Sequence, residues 1–256
     1  MPGRRNVPKI SAVFCDVGGV LLSNGWDHGQ RSRFVEKFGL EASDFEDRHQ
    51  MLSAAMENGQ LDLDQYLDHT IFYRPRPFRK QEARDFMYAQ SEARPDSLAL
   101  IGRLAQARTV FLATLNNESR ELNLYRIEKF GLRNYFSVFF SSCYLGVSKP
   151  DPQIYRQALD IAQRQAEACV FIDDRSLNVE CARRLGLHTI QFLNAGQMEN
   201  DLRTLGVEFC RDNFLRRRHS GVKLLGSLLH QFQIQFPAAH HRERFDLVKV
   251  FAARHP

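Results

Sequence analysis

The amino-acid sequence predicts an α/β protein, in which a Rossmann-like parallel sheet core carries a bundle of helices inserted after its first strand. Two observations lead to this prediction. Residues 95–206 alternate between apolar strand-like runs and helix-like periodic segments, which is typical of a parallel sheet covered by crossover helices. Residues 23–94 show helical spacing without a strand-like run, although a short apolar strand precedes them.

The first strand is an apolar and β-branched run at residues 10–14, followed by Asp16 and a glycine pair at 18–19. A run that breaks into glycines in this way indicates a buried strand that ends in a loop. Apolar residues at helical spacing then continue through the insertion, with glycine and proline as breakers. The helices predicted in the insertion are residues 30–38, 42–56, 61–71 and 78–90.

The alternating part of the chain begins with a helix at residues 97–107. Strands are then predicted at 109–115, 136–140, 169–172 and 189–192, and the helices between them at 120–130, 154–162 and 179–185. The predicted domains are a discontinuous α/β core (1–22 and 95–206), a helical insertion (23–94) and a basic C-terminal extension (207–256).

The composition is that of an ordinary globular protein. The 256 residues are 43% hydrophobic and 25% charged, which excludes wholesale disorder, a collagen-like repeat and a disulfide-dense mini-protein. The net charge of +5 resides in residues 207–256, and residues 1–206 are formally neutral. A neutral body gives no reason to expect nucleic acid as a partner. The extension is expected to be loosely ordered, with a basic amphipathic helix as the alternative.

Five cysteines are scattered along the chain without a Cys-x-x-Cys pair, so reduced thiols are expected rather than a zinc site or disulfides. No stretch reaches the roughly 18 apolar residues that a membrane span needs. The basic N-terminus precedes an apolar run, but Asp16 interrupts that run and no small-residue cleavage site follows. A cytoplasmic protein of undetermined oligomeric state is therefore expected.

Polar side chains gather where the predicted strands end. Asp16 follows the first strand, an asparagine pair at 116–117 follows the second, and an aspartate pair at 173–174 follows the strand at 169–172. Lys149 lies in the loop after the strand at 136–140. Ligands of parallel sheets bind at the carboxyl ends of the strands, so these side chains are expected to converge on one site.

These residues stand in four motifs, VFCDVGGVLL, FLATLNNES, VSKPDP and VFIDDRSLN. In this order, and each at or just after a strand end, they resemble the four motifs of the haloacid dehalogenase-like (HAD) hydrolase superfamily. The resemblance covers about residues 10–205. It implies an aspartate nucleophile, Mg²⁺ as cofactor, a small phosphorylated molecule as substrate, and a small helical cap formed by the insertion.

By this resemblance Asp16 is the nucleophile, which attacks phosphorus to give an aspartyl-phosphate that water then hydrolyses. The implied Mg²⁺ ligands are the Asp16 carboxylate, the backbone carbonyl of Gly18 and an acid of the aspartate pair. Asp174 is favoured as the direct ligand, with Asp173 behind it. A hard cation such as Mg²⁺ takes oxygen ligands of this kind.

The resemblance also implies roles for neighbouring residues. Lys149 holds the nucleophile and the transferred phosphoryl group by its positive charge. Asn116 and Asn117 contribute to phosphate binding, and Asn178 orients the loop after the acidic pair. In the insertion, Trp26 lies next to the first hinge and is either a substrate contact or part of the apolar core.

Two positions depart from the family pattern. Gly18 stands two residues after the nucleophile, where relatives usually carry an aspartate that protonates the leaving group. General acid catalysis is typically worth roughly 10²- to 10⁴-fold, so its absence penalises alkoxide leaving groups most. Leu115 stands where the pattern has a phosphate-binding Ser or Thr, which predicts weaker phosphate binding.

Two other functions compete with that of a phosphatase. A binding or regulatory protein on the same fold would explain Gly18 and Leu115 as eroded catalytic positions. A dehalogenase of the same superfamily would need no metal and would lack paired acids after the last motif strand. Asp173 and Asp174 therefore argue against the dehalogenase.

Overall fold

A computed structural model describes residues 9–210 of the chain, and a five-stranded parallel sheet forms their centre. Its strands are β1 (Ala12–Cys15), β2 (Phe111–Asn116), β3 (Val138–Ser141), β4 (Cys169–Asp173) and β5 (His188–Gln191). They lie in the order β3-β2-β1-β4-β5, and every neighbouring pair is parallel. The predicted α/β class and Rossmann-like sheet are confirmed. The expectation of a loosely ordered extension falls on residues 211–256, which lie outside the described residues.

Four helices separate β1 from the rest of the sheet, namely α1 (His28–Phe38), α2 (Ala42–Glu57), α3 (Leu63–Thr70) and α4 (Lys80–Ala89). The remaining helices are α5 (Pro95–Ala107), α6 (Arg120–Lys129), the single turn α7 (Ser142–Leu145), α8 (Pro152–Ala162), α9 (Ser176–Arg184) and α10 (Ala195–Thr204). Every predicted helix and strand forms, and the sequence patterns missed α7 and α10. Between residues 9 and 210, no helix has both the length and the apolar character needed to cross a membrane.

The apolar core consists of three clusters, two of which cover the faces of the sheet. In β1, Val13 and Cys15 point into one of these clusters, whereas Ala12 and Phe14 point into the other. Both faces of β1 are therefore buried, as the continuous apolar run predicted. The third cluster joins α1, α2, α3 and α4 around aromatic side chains such as Phe34.

The register of the strands decides which polar residues meet at the edge of the sheet. Cys15 lies level with Thr114 of β2 on one side and with Ile172 of β4 on the other. The residue after each of these therefore lies at the same height, which places Asp16 beside Asp173. In a parallel sheet this common height is the carboxyl edge, where ligands bind.

The two segments that connect the helical insertion to the sheet pair with each other. The Ser23 backbone N–H donates to the Glu92 carbonyl over 2.8 Å, and the Arg94 N–H donates to the Leu21 carbonyl over 2.9 Å. These bonds join the entry and the exit of the insertion in a short antiparallel contact. The insertion therefore leaves the sheet through one paired stalk.

A buried ion pair fixes the entry segment. Arg126 on α6 pairs with Glu118, and their side chains are 2% and 7% exposed. Arg126 also donates to the Ser23 carbonyl. A Cβ on Gly25 would lie 2.5 Å from the Glu118 carboxylate, so the chain passes this pair only because residue 25 has no side chain.

We predict that Arg126→Met lowers the free energy of unfolding by about 3–5 kcal/mol, because it leaves the Glu118 carboxyl buried without its partner. Chemical denaturation monitored by circular dichroism measures this change. Arg120→Met, at an exposed position of the same helix, is the control and should lie within about 0.5 kcal/mol of the wild type. A loss below about 1 kcal/mol for Arg126→Met would contradict the assigned role of the pair.

Candidate active site

Lys149 and two aspartates form a buried ionic cluster at the carboxyl edge of the sheet. The Lys149 ammonium lies 3.0 Å from Asp16 Oδ1 and 2.6 Å from Asp173 Oδ2, and its side chain is 1% exposed. These contacts join the ends of β1 and β4 to the loop after α7. The structure thus brings together three residues that the motifs predicted to converge.

Lys149 is held by its backbone as well as by its charge. The Asn117 side chain donates to the Lys149 carbonyl and accepts from the Lys149 N–H, each over 2.8 Å. Asn117 therefore clamps the lysine loop with both of its side-chain polar atoms. Its predicted contact with phosphate stays a prediction, and it would have to come from the Asn117 backbone.

Asp173 is saturated by protein contacts. Its carboxylate accepts from Lys149, from the Arg175 backbone N–H at 2.8 Å and from Asn178 Nδ2, which lies 3.1 Å from both oxygens. The residue is fully buried. Asn178 therefore orients Asp173, and Asp173 orients Lys149.

The neighbouring carboxyl of Asp174 is uncommitted. Its Oδ1 is buried without a hydrogen-bond partner, and burial followed by the charge of Asp173 raises the pKa of this carboxyl. Gly19, at φ 78°, packs against it so closely that a Cβ would lie 2.3 Å from Asp174 Oδ2. An unpartnered buried oxygen of this kind is satisfied when a cation binds.

The aspartates could hold a divalent cation. Asp16, Asp173 and Asp174 each offer a carboxylate oxygen within 4.8 Å of the others. Three carboxylates face one ammonium group, so a doubly charged cation would balance the cluster. The Gly18 carbonyl accepts no hydrogen bond from residues 9–210 and adds a fourth oxygen. A set made only of oxygen atoms suits Mg²⁺.

Burial and charge act in opposite directions on the ionic cluster. The pKa of Asp16 is raised to about 7. Burial and the charge of Asp173 raise it, and they outweigh Lys149 and the Val17 N–H, which lower it. Burial lowers the pKa of Lys149, but Asp16 and Asp173 outweigh it and leave that pKa above its usual value. Lys149 therefore stays charged, and a bound cation would favour the ionised form of Asp16.

Asn116 and Leu115 at the end of β2 face the protein interior. Asn116 Oδ1 accepts from the Ser141 hydroxyl at 3.0 Å, and Asn116 Nδ2 donates to Asn123 at 3.3 Å. A phosphate contact by Asn116 stays a prediction and would involve its backbone. Leu115 is fully buried in an apolar cluster with Phe140, so it offers no hydroxyl at the height of Asp16.

A cavity of about 340 Å³ lies between this cluster and the helical insertion. Asp16, Gly18 and Lys149 line it from the sheet side. On the insertion side, α2 contributes residues spaced by four positions and therefore on one helical face. This α2 face consists of His49, Ser53 and Glu57.

Trp26, Tyr66 and His49 form a hydrogen-bonded chain that ends at the cavity. The Trp26 indole N–H donates to the Tyr66 hydroxyl over 2.8 Å, and that hydroxyl lies 2.9 Å from His49 Nδ1. The Tyr66 hydroxyl donates no other hydrogen bond among residues 9–210, so we assign its proton to the bond with Nδ1, which leaves the proton of neutral His49 on Nε2. Burial, then the positive charge of Arg31, lower the pKa of His49 to about 4.

Trp26 therefore belongs mainly to the apolar core of the insertion. It is 6% exposed and packs edge-on against Phe34 and Phe45. It also lines the cavity, so its predicted substrate contact stays a prediction. Sequence reasoning missed His49 and Glu57, whose only signal is their spacing of eight residues along α2.

Comparison with known proteins gives a family match. A family model for haloacid dehalogenase-like hydrolases matches residues 10–186. A protein from Arabidopsis thaliana named flavin mononucleotide hydrolase 1 is 30% identical over 193 residues, which cover 73% of this chain and 78% of that protein.

Two solved structures share the fold. A HAD family enzyme from Bacteroides thetaiotaomicron, in complex with magnesium and inorganic phosphate, superposes with a TM-score of 0.62 at 20% identity and covers 73% of this chain and 96% of its own. An L-2-haloacid dehalogenase superposes with a TM-score of 0.51 at 23% identity, covering 70% and 83%. At these identities the likeness concerns the fold alone.

We predict that Gly19→Ala weakens Mg²⁺ binding by at least about tenfold, because the new Cβ displaces Asp174 and strains a backbone at positive φ. Isothermal titration calorimetry measures the affinity. Gly102→Ala is the matched control, since Gly102 lies on α5 outside the cavity and its Cβ would meet nothing closer than 3.5 Å. Equal affinities for the two variants would show that Asp174 does not bind the cation.

We predict that His49 remains neutral, with its proton on Nε2, from pH 8 down to about pH 5, because its pKa lies near 4. Two-dimensional ¹H–¹⁵N correlation spectra of the imidazole nitrogens report both the charge and the tautomer. Tyr66→Phe removes the donor to Nδ1 and should change the Nδ1 shift. A titration of His49 near pH 6.5 would contradict the assignment.

Proposed function

Because this chain belongs to the haloacid dehalogenase-like hydrolase family, we propose that it is a Mg²⁺-dependent phosphatase of a small phosphorylated metabolite. The observation that carries the proposal is the arrangement of Asp16 and Lys149 at one end of the cavity, with the uncommitted Asp174 beside them. The proposed catalytic residues are Asp16 and Lys149.

Asp16 is prepared to act as a nucleophile. Its Oδ1 is held by the Val17 N–H at 2.8 Å and by Lys149 at 3.0 Å. Its Oδ2 accepts no hydrogen bond within residues 9–210 and is the oxygen left to attack phosphorus. The attack forms an aspartyl-phosphate and breaks the bond to the leaving group, and water then releases inorganic phosphate and restores Asp16.

Lys149 and its supports supply the electrostatic part of catalysis. Its ammonium group places a fixed positive charge beside the oxygen atoms on which negative charge accumulates. The Asn117 clamp and the saturated Asp173 keep that charge in position without reorganisation. Mg²⁺, held by Asp16, Asp174 and the Gly18 carbonyl, would neutralise the repulsion between the carboxylate and the phosphate.

We assign the helical insertion, residues 23–94, as a cap over the sheet core of residues 1–22 and 95–206. The cap closes the cavity from the side of the α2 face and excludes water from the phosphoryl group. Flavin mononucleotide is the first substrate to test, because the Arabidopsis relative is named as its hydrolase. A cytoplasmic location is part of the proposal, although that relative is named as a chloroplast protein.

We predict that the purified protein hydrolyses at least one member of a panel of flavin mononucleotide, sugar 1-phosphates and acyl phosphates. Released phosphate is measured with Mg²⁺ and with chelator. Turnover should require Mg²⁺, and Asp16→Asn should abolish it because the amide cannot attack phosphorus.

Each alternative has its own outcome in this assay. Binding of Mg²⁺ and phosphate without turnover of any panel member would favour a regulatory protein in which Gly18 and Leu115 mark a lost activity. Release of halide from a 2-haloacid in the presence of chelator would favour a dehalogenase.

A further inference from the structure

The proposed reaction needs a proton donor for the leaving group, and residue 18 cannot supply it. Gly18 carries no side chain, and a Cβ at this position would lie in ordinary van der Waals contact with Asn24 at 3.6 Å and with the Gly25 nitrogen at 3.8 Å. Asp16 and Lys149 are already engaged with each other. The donor must therefore come from another wall of the cavity.

Three carboxyl groups other than Asp16 line the cavity, and two of them are committed. Asp27 begins α1, where it accepts from the Gln30 backbone N–H at 2.8 Å and from Asn24 at 3.2 Å. Glu118 is paired with Arg126. The Glu57 carboxyl has no hydrogen-bond or ion-pair partner among residues 9–210.

Glu57 occupies an unfavourable place for a negative charge. It is the last residue of α2, where the partial negative charge of the helix end opposes a carboxylate. Burial, then the charge of Glu118, raise the pKa of Glu57, while the smaller effects of Arg175, Lys149 and Arg31 act against the increase. An unpaired acid held under these conditions is typical of a functional group rather than of a stabilising one.

The backbone of Glu57 is docked onto the sheet core. The Ser142 hydroxyl on α7 donates to the Glu57 carbonyl over 2.6 Å. Two residues later, Gly59 passes so close to α7 that a Cβ would lie 2.1 Å from the Cys143 carbonyl oxygen. These contacts fix the end of α2 relative to the strand ends, which is what a proton donor requires.

Three other groups of the cavity wall do not fit this role, and His28, which also lines the cavity, lies exposed at the start of α1. His49 is neutral, and its remaining proton is on Nε2, from which a neutral imidazole gives up a proton very reluctantly. Lys149 stays charged between two carboxylates. Ser53, the other member of the α2 face, has a hydroxyl that is far too weak an acid.

We propose that Glu57 is the general acid and base of this enzyme and supplies from the cap the proton that the residue at position 18 supplies in relatives. The inference rests on the proposed phosphatase function. Glu57 is then a catalytic residue in the strict sense, because its carboxyl contacts the leaving-group oxygen.

Bonds and protons balance over the two half-reactions. Asp16 Oδ2 forms a bond to phosphorus as the phosphorus–oxygen bond of the ester breaks, and protonated Glu57 gives its proton to the departing oxygen. The products of this half are an alcohol, the aspartyl-phosphate and the Glu57 carboxylate. Water then attacks phosphorus, Glu57 takes the proton from that water, and the bond to Asp16 breaks to release inorganic phosphate.

The test compares leaving groups. We expect Glu57→Gln to lower kcat/KM for an alkyl ester such as glycerol 2-phosphate by about 10²-fold or more, and that for p-nitrophenyl phosphate by less than about threefold. The p-nitrophenolate is stable enough to leave as an anion, whereas the alkyl leaving group needs a proton. Because kcat/KM reports only the steps up to leaving-group release, the later hydrolysis does not obscure the comparison.

Asp47→Asn is the matched control, since Asp47 is an exposed acid of α2 outside the cavity, and it should leave both values unchanged. Equal losses for the two esters in Glu57→Gln, or no loss, would overturn the role of Glu57 while the phosphatase stands. A wild-type enzyme that hydrolyses neither ester nor any substrate of the panel would overturn both proposals.

If Glu57→Gln does not fold, a leaving-group series on the wild type tests the premise that some group protonates the leaving oxygen. With an acid in place, kcat/KM should change little between aryl and alkyl phosphates, because protonation removes most of the difference between the leaving groups. A steep decline from p-nitrophenyl to phenyl to alkyl phosphate would show that no group protonates the leaving oxygen, and would overturn the proposal.

Discussion

The ammonium group of Lys149 lies between two buried carboxylates, and the rest of the site is arranged to keep it there. Burying these three charges is costly, so each must be compensated within hydrogen-bond distance. The parallel register places Asp16 beside Asp173. The Asn117 side chain forms two hydrogen bonds with the backbone of Lys149. Asn178 and the Arg175 N–H donate the remaining hydrogen bonds to Asp173. With Asp174 included, three carboxylates face one ammonium group, and this excess of negative charge is the physical basis for a cation site.

The residues of the ionic cluster that sequence reasoning located lie at strand ends or in the loops that follow them. Parallel strands bring their carboxyl ends together, so the convergence of Asp16, Lys149 and Asp173 follows from local patterns alone. The side-chain partners of Asn117 could not be predicted, because they depend on how a loop 32 residues further along folds back. The same holds for Glu57, since no local pattern states which face of α2 turns toward the sheet. The single turn α7 is too short to show periodicity, although its Ser142 donates the hydrogen bond to the Glu57 carbonyl at the end of α2.

The core of the cap and the wall of the cavity are one connected structure. The hydrogen-bonded chain from Trp26 through Tyr66 to His49 runs from the aromatic cluster of the insertion to the substrate space. Packing among these aromatic rings therefore sets the position of His49, which lines the cavity. On the proposed assignment of the insertion as a cap, its stability and its recognition of substrate depend on the same side chains, so a substitution among them would change both.

Outside the stalk, the helical insertion contacts the α/β core through polar groups at the end of α2 and the start of α3, and through one aromatic stack on α4. Ser142 bonds the Glu57 carbonyl, the Leu63 N–H donates to Glu121 over 3.3 Å, and Tyr88 stacks on Tyr125 with ring centres 4.4 Å apart. Water can replace each polar contact at a net cost of about 1 kcal/mol. The paired stalk, in contrast, is formed by backbone hydrogen bonds that involve none of these residues. On the proposed assignment of the insertion as a cap, opening of the contacts outside the stalk would expose the cavity to solvent without unfolding the sheet.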